Sequence, residues 1–292
     1  MTPPTTKELP TYTDAELAAA RARENFPIAA WLLRPNRREA RSAIYGFCRL
    51  VDDIGDERLG DARAQLTRCQ EELRACYHGS PRHPVFLRLQ PVIRRFSLAH
   101  DCFSRLIDAN LQDQEVHRYR TWEELDRYCT LSATPVGQLV LALEGLEDPV
   151  RVAHSDAICT GLQLANMWQD VTSDRLRGRR YLPLEVLSQH GVSEAEWEAG
   201  KATPGTRAAL MHAVGRARRL LHDGWPLVHE VPGLMRLEMA TFILSGLAAT
   251  DAVVAAGDQV FQEKARIGKR ERRRVLLRAG VAWRGVRPPA GS

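Results

Sequence analysis

The sequence predicts an all-α fold, a single-domain helical bundle with a central cavity, and three observations support this. Apolar residues recur at helical spacing through most of the chain. No window alternates in strand fashion between hairpin turns. Three capping boxes open candidate helices. Asn36-Arg37-Arg38-Glu39 starts a helix running to about Gly55, Thr121-Trp122-Glu123-Glu124 a second, and Ser193-Glu194-Ala195-Glu196 a third. Periodic segments cover Arg63 to Tyr77, Pro84 to Phe96, His100 to Asp113, Leu125 to Leu143, Val150 to Asp174, Thr206 to Val228 and Leu234 to Ala255. Pro135 lies inside the Leu125 segment. Because the apolar period resumes after it, a kink is expected there rather than an end. No long or low-complexity linker interrupts the chain, so the one boundary expected separates a helical domain, 1–263, from a basic tail, 264–292.

Composition narrows the function classes. Hydrophobic residues make up 44% of the chain, enough for a sizeable core. The most apolar window, Met239 to Ala256, is broken by Ser245, Gly246, Thr250 and Asp251, so it does not read as a membrane span. The stretch Met1 to Phe26 is charged throughout and has no apolar run of the secretory kind. The six cysteines form no C-x-x-C pair, and reduced thiols in a cytoplasmic protein are expected. The nine histidines lack zinc-site spacing. Lys264 to Pro288 carries ten basic residues against one acidic residue, Glu271, a charge of +9. With the whole chain at +5, the remainder stands at −4. The basic character therefore belongs to the tail, and it suits an anionic surface.

Two stripes of oxygen ligands carry the chemistry. In Asp52-Asp53-Ile54-Gly55-Asp56-Glu57, Asp52 and Asp56 share a helix face about 6 Å apart along the axis. Arg49, one turn earlier on that face, offsets part of their repulsion. In the second stripe Asn166, Asp170 and Asp174 recur every fourth residue, with Gln163 a further turn back. A solvated acidic helix end is the plainer account of the first stripe, and a polar solvent face of the second. Together, on separate long helices, the stripes could face each other across a bundle. Ligands that are all Asp and Asn fit a hard cation such as Mg²⁺, which takes one or two carboxylates plus substrate phosphate oxygens. Arg49, Arg175, Arg177, Arg179 and Arg180 would help neutralise a diphosphate. On the residues alone, both accounts remain open.

At these residues the chain resembles the squalene and phytoene synthase family of head-to-head prenyl synthases. Ala43 to Glu57, containing Tyr45-Gly46-Phe47-Cys48-Arg49-Leu50-Val51-Asp52-Asp53, resembles the family's first aspartate motif. Leu162 to Asp174 resembles the second, and Arg179-Arg180-Tyr181-Leu182-Pro183 the segment after it. The resemblance spans roughly Asn25 to Ala255. It implies the prenyl-synthase fold, with Asp52, Asp56, Asn166, Asp170 and Asp174 as Mg²⁺ ligands, the four aspartates being the catalytic set. It also implies that Tyr45, Arg49, Gln163 and Arg180 contact the substrate or its diphosphate.

Three departures from the family pattern narrow the assignment. The segment Tyr128-Cys129-Thr130-Leu131-Ser132-Ala133-Thr134-Pro135-Val136-Gly137 resembles the squalene synthase segment that carries a catalytic tyrosine assigned to the first half-reaction, and has leucine at that position, 131. Gln169 stands where an arginine precedes the fourth ligand, and a diphosphate contact is expected to be lost there. Glu24-Asn25-Phe26-Pro27 replaces a Lys/Ser-rich opening. These departures resemble the bacterial hydroxysqualene synthase branch of the hopanoid pathway. The resemblance then implies Mg²⁺-dependent conversion of presqualene diphosphate to hydroxysqualene without a hydride donor. An enzyme that couples two prenyl diphosphates, making presqualene diphosphate, squalene or phytoene, is the alternative within the family. A helical scaffold with a nucleic-acid-binding tail is the alternative outside it. The acidic body and a tail with Trp283 as its one aromatic residue argue against nucleic acid. An anionic membrane surface is the partner expected of the tail, which would place the protein peripherally at the inner face of the membrane.

Overall fold

The computed structural model describes residues 8–23, 35–56 and 62–283. Among these residues the regular elements are all helical, with one isolated parallel bridge between Arg118 and Arg180. In chain order the helices are α1 (Asp14–Arg23), α2 (Pro35–Asp56), α3 (Ala62–His78), α4 (Pro84–Phe96), α5 (His100–Gln112), α6 (Trp122–Ser132), α7 (Thr134–Glu144), α8 (Pro149–Gln169), α9 (Val171–Leu176), α10 (Leu184–Gln189), α11 (Glu194–Glu198), α12 (Pro204–Asp223), α13 (Leu227–Glu230), α14 (Gly233–Ala256) and α15 (Lys269–Trp283). A 3-10 turn, Gly257–Phe261, follows α14. The Glu24 to Pro27 opening, Glu57, Arg284 and Arg287 lie outside the described residues.

Two of the three candidate boxes cap their helices through the side chain of the first residue. The Thr121 side chain accepts from Glu124 N, while Glu124 Oε2 accepts from Arg120 N. Ser193 accepts from Glu196 N. The third candidate does not mark a helix start, since α2 already includes Pro35. Three long segments are also broken, the one from Thr206 to Val228 between Asp223 and Leu227. The expected kink at Pro135 is a division into α6 and α7 at Ala133, with Pro135 in the first turn of α7, where its missing N–H costs nothing. The Val150 to Asp174 segment breaks at Asp170, whose φ of −97° and ψ of 7° leave the helical region.

The described residues belong to two compact units. The first holds those up to Val116 together with Pro135–Glu147. Its core is centred on Phe47 of α2, which meets Phe86 and Phe103 edge-on at 5.8 and 5.2 Å. Leu66, Cys69, Leu73 and Cys76 line one stripe of α3 and enter the same core, as do Leu139 and Leu143 of α7.

The second unit holds His117–Thr134 and the residues from Asp148 onward. Here α8, α12 and α14 pack on one another. Gly161 of α8 and Gly246 of α14 both lie against Leu221 of α12: a Cβ on either glycine would come within 2.9 Å of that leucine. The stretch Gly233–Phe261 is long and apolar enough to cross a membrane by length and composition, yet 56% of its most apolar window is buried within the protein. Helix α15 packs on α14 through Val275, Ala279 and Ala282. Much of the basic tail is therefore an ordered helix seated on the second unit. None of the six cysteines is in a disulfide.

Candidate active site

In the first unit Tyr45, Arg49, Asp52 and Asp56 share one face of α2. Asp52 and Asp56 are exposed and Tyr45 is half-buried. Arg49 does not turn to Asp52. Its Nε donates to Asp53 Oδ2 at 3.0 Å, and a terminal guanidinium nitrogen pairs with Oδ1 of the same carboxylate. The Tyr12 hydroxyl also donates to Asp53 Oδ2, at 2.7 Å. Asp53 therefore aims the arginine. Asp52 receives instead the Asn110 amide from α5, Nδ2 to Oδ1 at 3.3 Å. Packing of protein around the Asp52 carboxyl raises its pKa above the ordinary range, although the residue is still exposed; Asn110 opposes the rise and Asp56 adds to it.

Gly55 makes the Asn110 contact sterically possible. A Cβ at position 55 would stand 2.0 Å from Asn110 Oδ1. Gln114 Nε2 donates to the Gly55 carbonyl at 3.1 Å, holding α5 close. Gly55→Ala is therefore expected to cost about 1–3 kcal/mol in urea unfolding. In an Asn110→Ala background the cost should shrink by more than about 0.5 kcal/mol, because the clash partner is gone. An equal cost in both backgrounds would contradict the contact.

In the second unit Gln163 and Asn166 lie on α8, Asp170 ends that helix, and Asp174 sits in α9. Despite the break, backbone bonds run on, from Asp170 N to Asn166 O at 3.0 Å and from Asp174 N to Asp170 O at 2.8 Å. Ser173 Oγ donates to the Asp170 carbonyl at 2.9 Å, the kind of local bond that competes with helix continuation. Burial pushes the Asp174 carboxyl up to about 7, with Asp170 adding to the rise and Arg179, Arg177 and Lys264 opposing it. Asp170 already holds a cation: Lys264 Nζ lies 2.7 Å from Oδ1 and 2.8 Å from Oδ2.

Arg180, read as a diphosphate contact, and Gln169, read as the loss of one, both bond to the protein itself. Arg180 is buried, its Nη1 donates to Glu194, and its backbone N–H donates to His117 O at 2.7 Å. It ties the loop after α9 to α11, leaving Arg177 and Arg179 as the arginines acting on Asp174. Gln169 is 2% exposed, and its Nε2 donates to Ala265 O at 2.8 Å. At 169 a neutral amide thus makes a buried backbone contact where the family pattern has arginine. Asn110, Asp53, Tyr12 and Lys264 are additions. Gly55, a glycine inside a helical motif, was the one local signal for any of them.

The donor set fits a hard divalent cation. It is all oxygen, and the Asp170 carboxylate already binds a cation through both of its oxygens. Among the described residues no three His, Cys, Asp or Glu side chains close into a metal cluster. Mg²⁺ does not require one, since it retains waters and takes phosphate oxygens.

The sequence matches the squalene/phytoene synthase family model over residues 19–271. This chain is a member of the squalene/phytoene synthase family. It is 35% identical over 212 residues to the hydroxysqualene synthase of Rhodopseudomonas palustris, covering 71% of each protein. It is 30% identical over 270 residues to the phytoene synthase of Thermus thermophilus, covering 91% of each. The crystal structure of squalene synthase HpnC from Alicyclobacillus acidocaldarius superposes with a TM-score of 0.75 at 37% identity, covering 84% of this chain and 89% of that one. The fold is accordingly of the terpenoid-synthase type, and the protein is a prenyl diphosphate-processing synthase of isoprenoid biosynthesis. Members of the squalene/phytoene synthase family generally use divalent metal with their diphosphate substrates.

Proposed function

We propose that this synthase converts presqualene diphosphate to hydroxysqualene with release of diphosphate, supplying the hopanoid pathway. The observation that carries this reading is Leu131. It sits half-buried in α6, beside the buried Tyr128 and Cys129, at the position that resembles the first-half-reaction tyrosine of squalene synthase. A leucine neither accepts nor donates a proton. The identity to a hydroxysqualene synthase supports the same reading.

Asp52 and Asp56 on one stripe would hold Mg²⁺ for a diphosphate, as would Asn166, Asp170 and Asp174 on the other, with Tyr45 and Gln163 on the respective faces. When bound, Mg²⁺ supplies positive charge to the departing diphosphate. Arg49, aimed by Asp53, adds a second positive group where charge develops. An apolar, water-poor cavity would protect the rearranging cyclopropylcarbinyl cation until one water adds to it and loses a proton, giving the alcohol. Incubation with presqualene diphosphate and Mg²⁺, without NADPH, tests the reading. Mass spectrometry of the organic extract should show hydroxysqualene, and an unconsumed substrate would refute it. A coupling synthase is the second reading, favoured by the 91% coverage of the Thermus thermophilus phytoene synthase.

The same reading places the enzyme at an anionic membrane surface through α15, matching an apolar product. Five of the first six residues of α15 are basic, at the helix end whose dipole disfavours cations. That charge does not serve the helix itself. Leu276, Leu277 and Val281 are 62%, 72% and 51% exposed on the same element, so cationic and apolar side chains both reach solvent. Deleting the whole tail would uncover α14 and remove Lys264, so point variants are the cleaner probe. Replacing Arg270 and Arg273 by glutamine should weaken co-sedimentation with phosphatidylserine vesicles by about thirtyfold, at roughly 1 kcal/mol per charge. Turnover of detergent-dispersed substrate should hold. Unchanged sedimentation would remove the membrane assignment, and salt-sensitive retention on DNA instead would favour nucleic acid.

A further inference from the structure

Lys264 reaches the second stripe from far along the chain. It lies in the segment between the Gly257–Phe261 turn and α15, 94 residues beyond Asp170. That segment is fastened to the motif itself. Gln169 Nε2 donates to Ala265 O at 2.8 Å, and Ala265 N returns a bond to Gln169 O at 3.2 Å. Thr172 Oγ1 donates to Val260 O at 2.7 Å. Val260, Phe261 and Ala265 are buried, and Phe261 meets Trp197 edge-on at 5.7 Å. The backbone on both sides of Lys264 is therefore held by residues flanking Asp170, while the ammonium lies against both oxygens of that carboxylate.

We propose that Lys264 is the resident counter-cation of the second carboxylate stripe, and that metal loading at Asp170 is an exchange of this ammonium for Mg²⁺. The proposal rests on the reading of Asp170 as a metal ligand. An ammonium bound through both carboxylate oxygens covers the lone pairs that a divalent ion needs. Two cations a few ångströms apart on one carboxylate also repel. Lys264 must therefore swing away for metal to enter. Its side chain is 36% exposed, so it has solvent to swing into. While the metal is absent, the ammonium offsets the repulsion between Asp170 and Asp174 and keeps the stripe assembled. Gln169 fits this arrangement: a neutral amide can be buried against Ala265 O without adding a second fixed cation beside Asp170.

The test uses the full chain stripped with EDTA, without substrate. Lys264→Met keeps the length of the side chain and removes its charge. Mn²⁺ binding is counted by electron paramagnetic resonance of the free ion, with melting temperature followed in parallel. Lys264→Met is expected to bind Mn²⁺ about tenfold more tightly than the wild type and to melt lower without metal. Lys264→Arg is expected to stay near the wild type in both. Equal Mn²⁺ affinity in Lys264→Met and the wild type would overturn the exchange while leaving Asp170 a ligand. No Mn²⁺ binding in any variant, up to millimolar metal, would overturn the ligand reading and the exchange together.

Discussion

Asp170→Asn and Asp52→Asn are each expected to lower turnover by about 10²–10³-fold at saturating Mg²⁺, the usual loss when one charge-stabilising group is removed from the departing oxyanion. Their effects on the metal-free protein should differ, because their partners differ. Asp170 is paired with Lys264, so its substitution leaves that ammonium without a carboxylate and should lower the melting temperature in EDTA. Asp52 is crowded by Asp56 and takes one amide bond from Asn110, so its substitution relieves repulsion and should be neutral or stabilising. Asp174 shows the sign clearly. With its carboxyl at about 7, the folded protein holds this proton more tightly than the unfolded chain between about pH 4 and 7. Metal-free stability contributed by this group therefore falls as pH rises through that window, by at most about 4 kcal/mol. Asp174→Asn should remove that part of the fall. A near-wild-type rate in Asp170→Asn or Asp52→Asn would show that the residue is not a ligand.

The second large effect separates two substrates. Farnesyl diphosphate alone should give no useful presqualene diphosphate, whereas supplied presqualene diphosphate should be consumed, both with Mg²⁺ and without NADPH. The stripes serve ionisation, which both half-reactions need, so their presence does not decide between the substrates. Leu131 decides, because nothing at that position can move the proton of the first half-reaction. Gln169 adds no support, since it is turned inward to Ala265. Leu131→Tyr alone is not expected to restore coupling: a half-buried phenol also needs a partner for its hydroxyl. Efficient C30 product from farnesyl diphosphate alone would return the enzyme to the coupling synthases.

What the sequence made legible was local. Helical spacing gave most element spans to within a residue or two, and the Thr121 and Ser193 caps were readable because their partners lie three residues away. The breaks at Ala133 and Asp170 were hidden, because apolar spacing continues on both sides of each. Which motif arginine acts on Asp174 was equally hidden. Arg180 and Arg179 are neighbours of one type, yet Arg180 is buried on Glu194. Asn110 and Lys264 lie 58 and 94 residues from the aspartates they touch, a separation to which no periodicity speaks.

The placement of α7 bears on the order in which the chain can fold during synthesis. Leu139 and Leu143 are buried in the core around Phe47, yet they are made after Phe47, Phe86 and Phe103 and after all of α6, which belongs to the other unit. A ribosome adding 5–20 residues per second needs about two to six seconds to pass from Val116 to Glu147. During that interval α2 to α5 lack two of their buried leucines, and a fragment ending at Val116 would expose that gap for good. The amino-terminal half cannot be made, or cut out, as a finished piece.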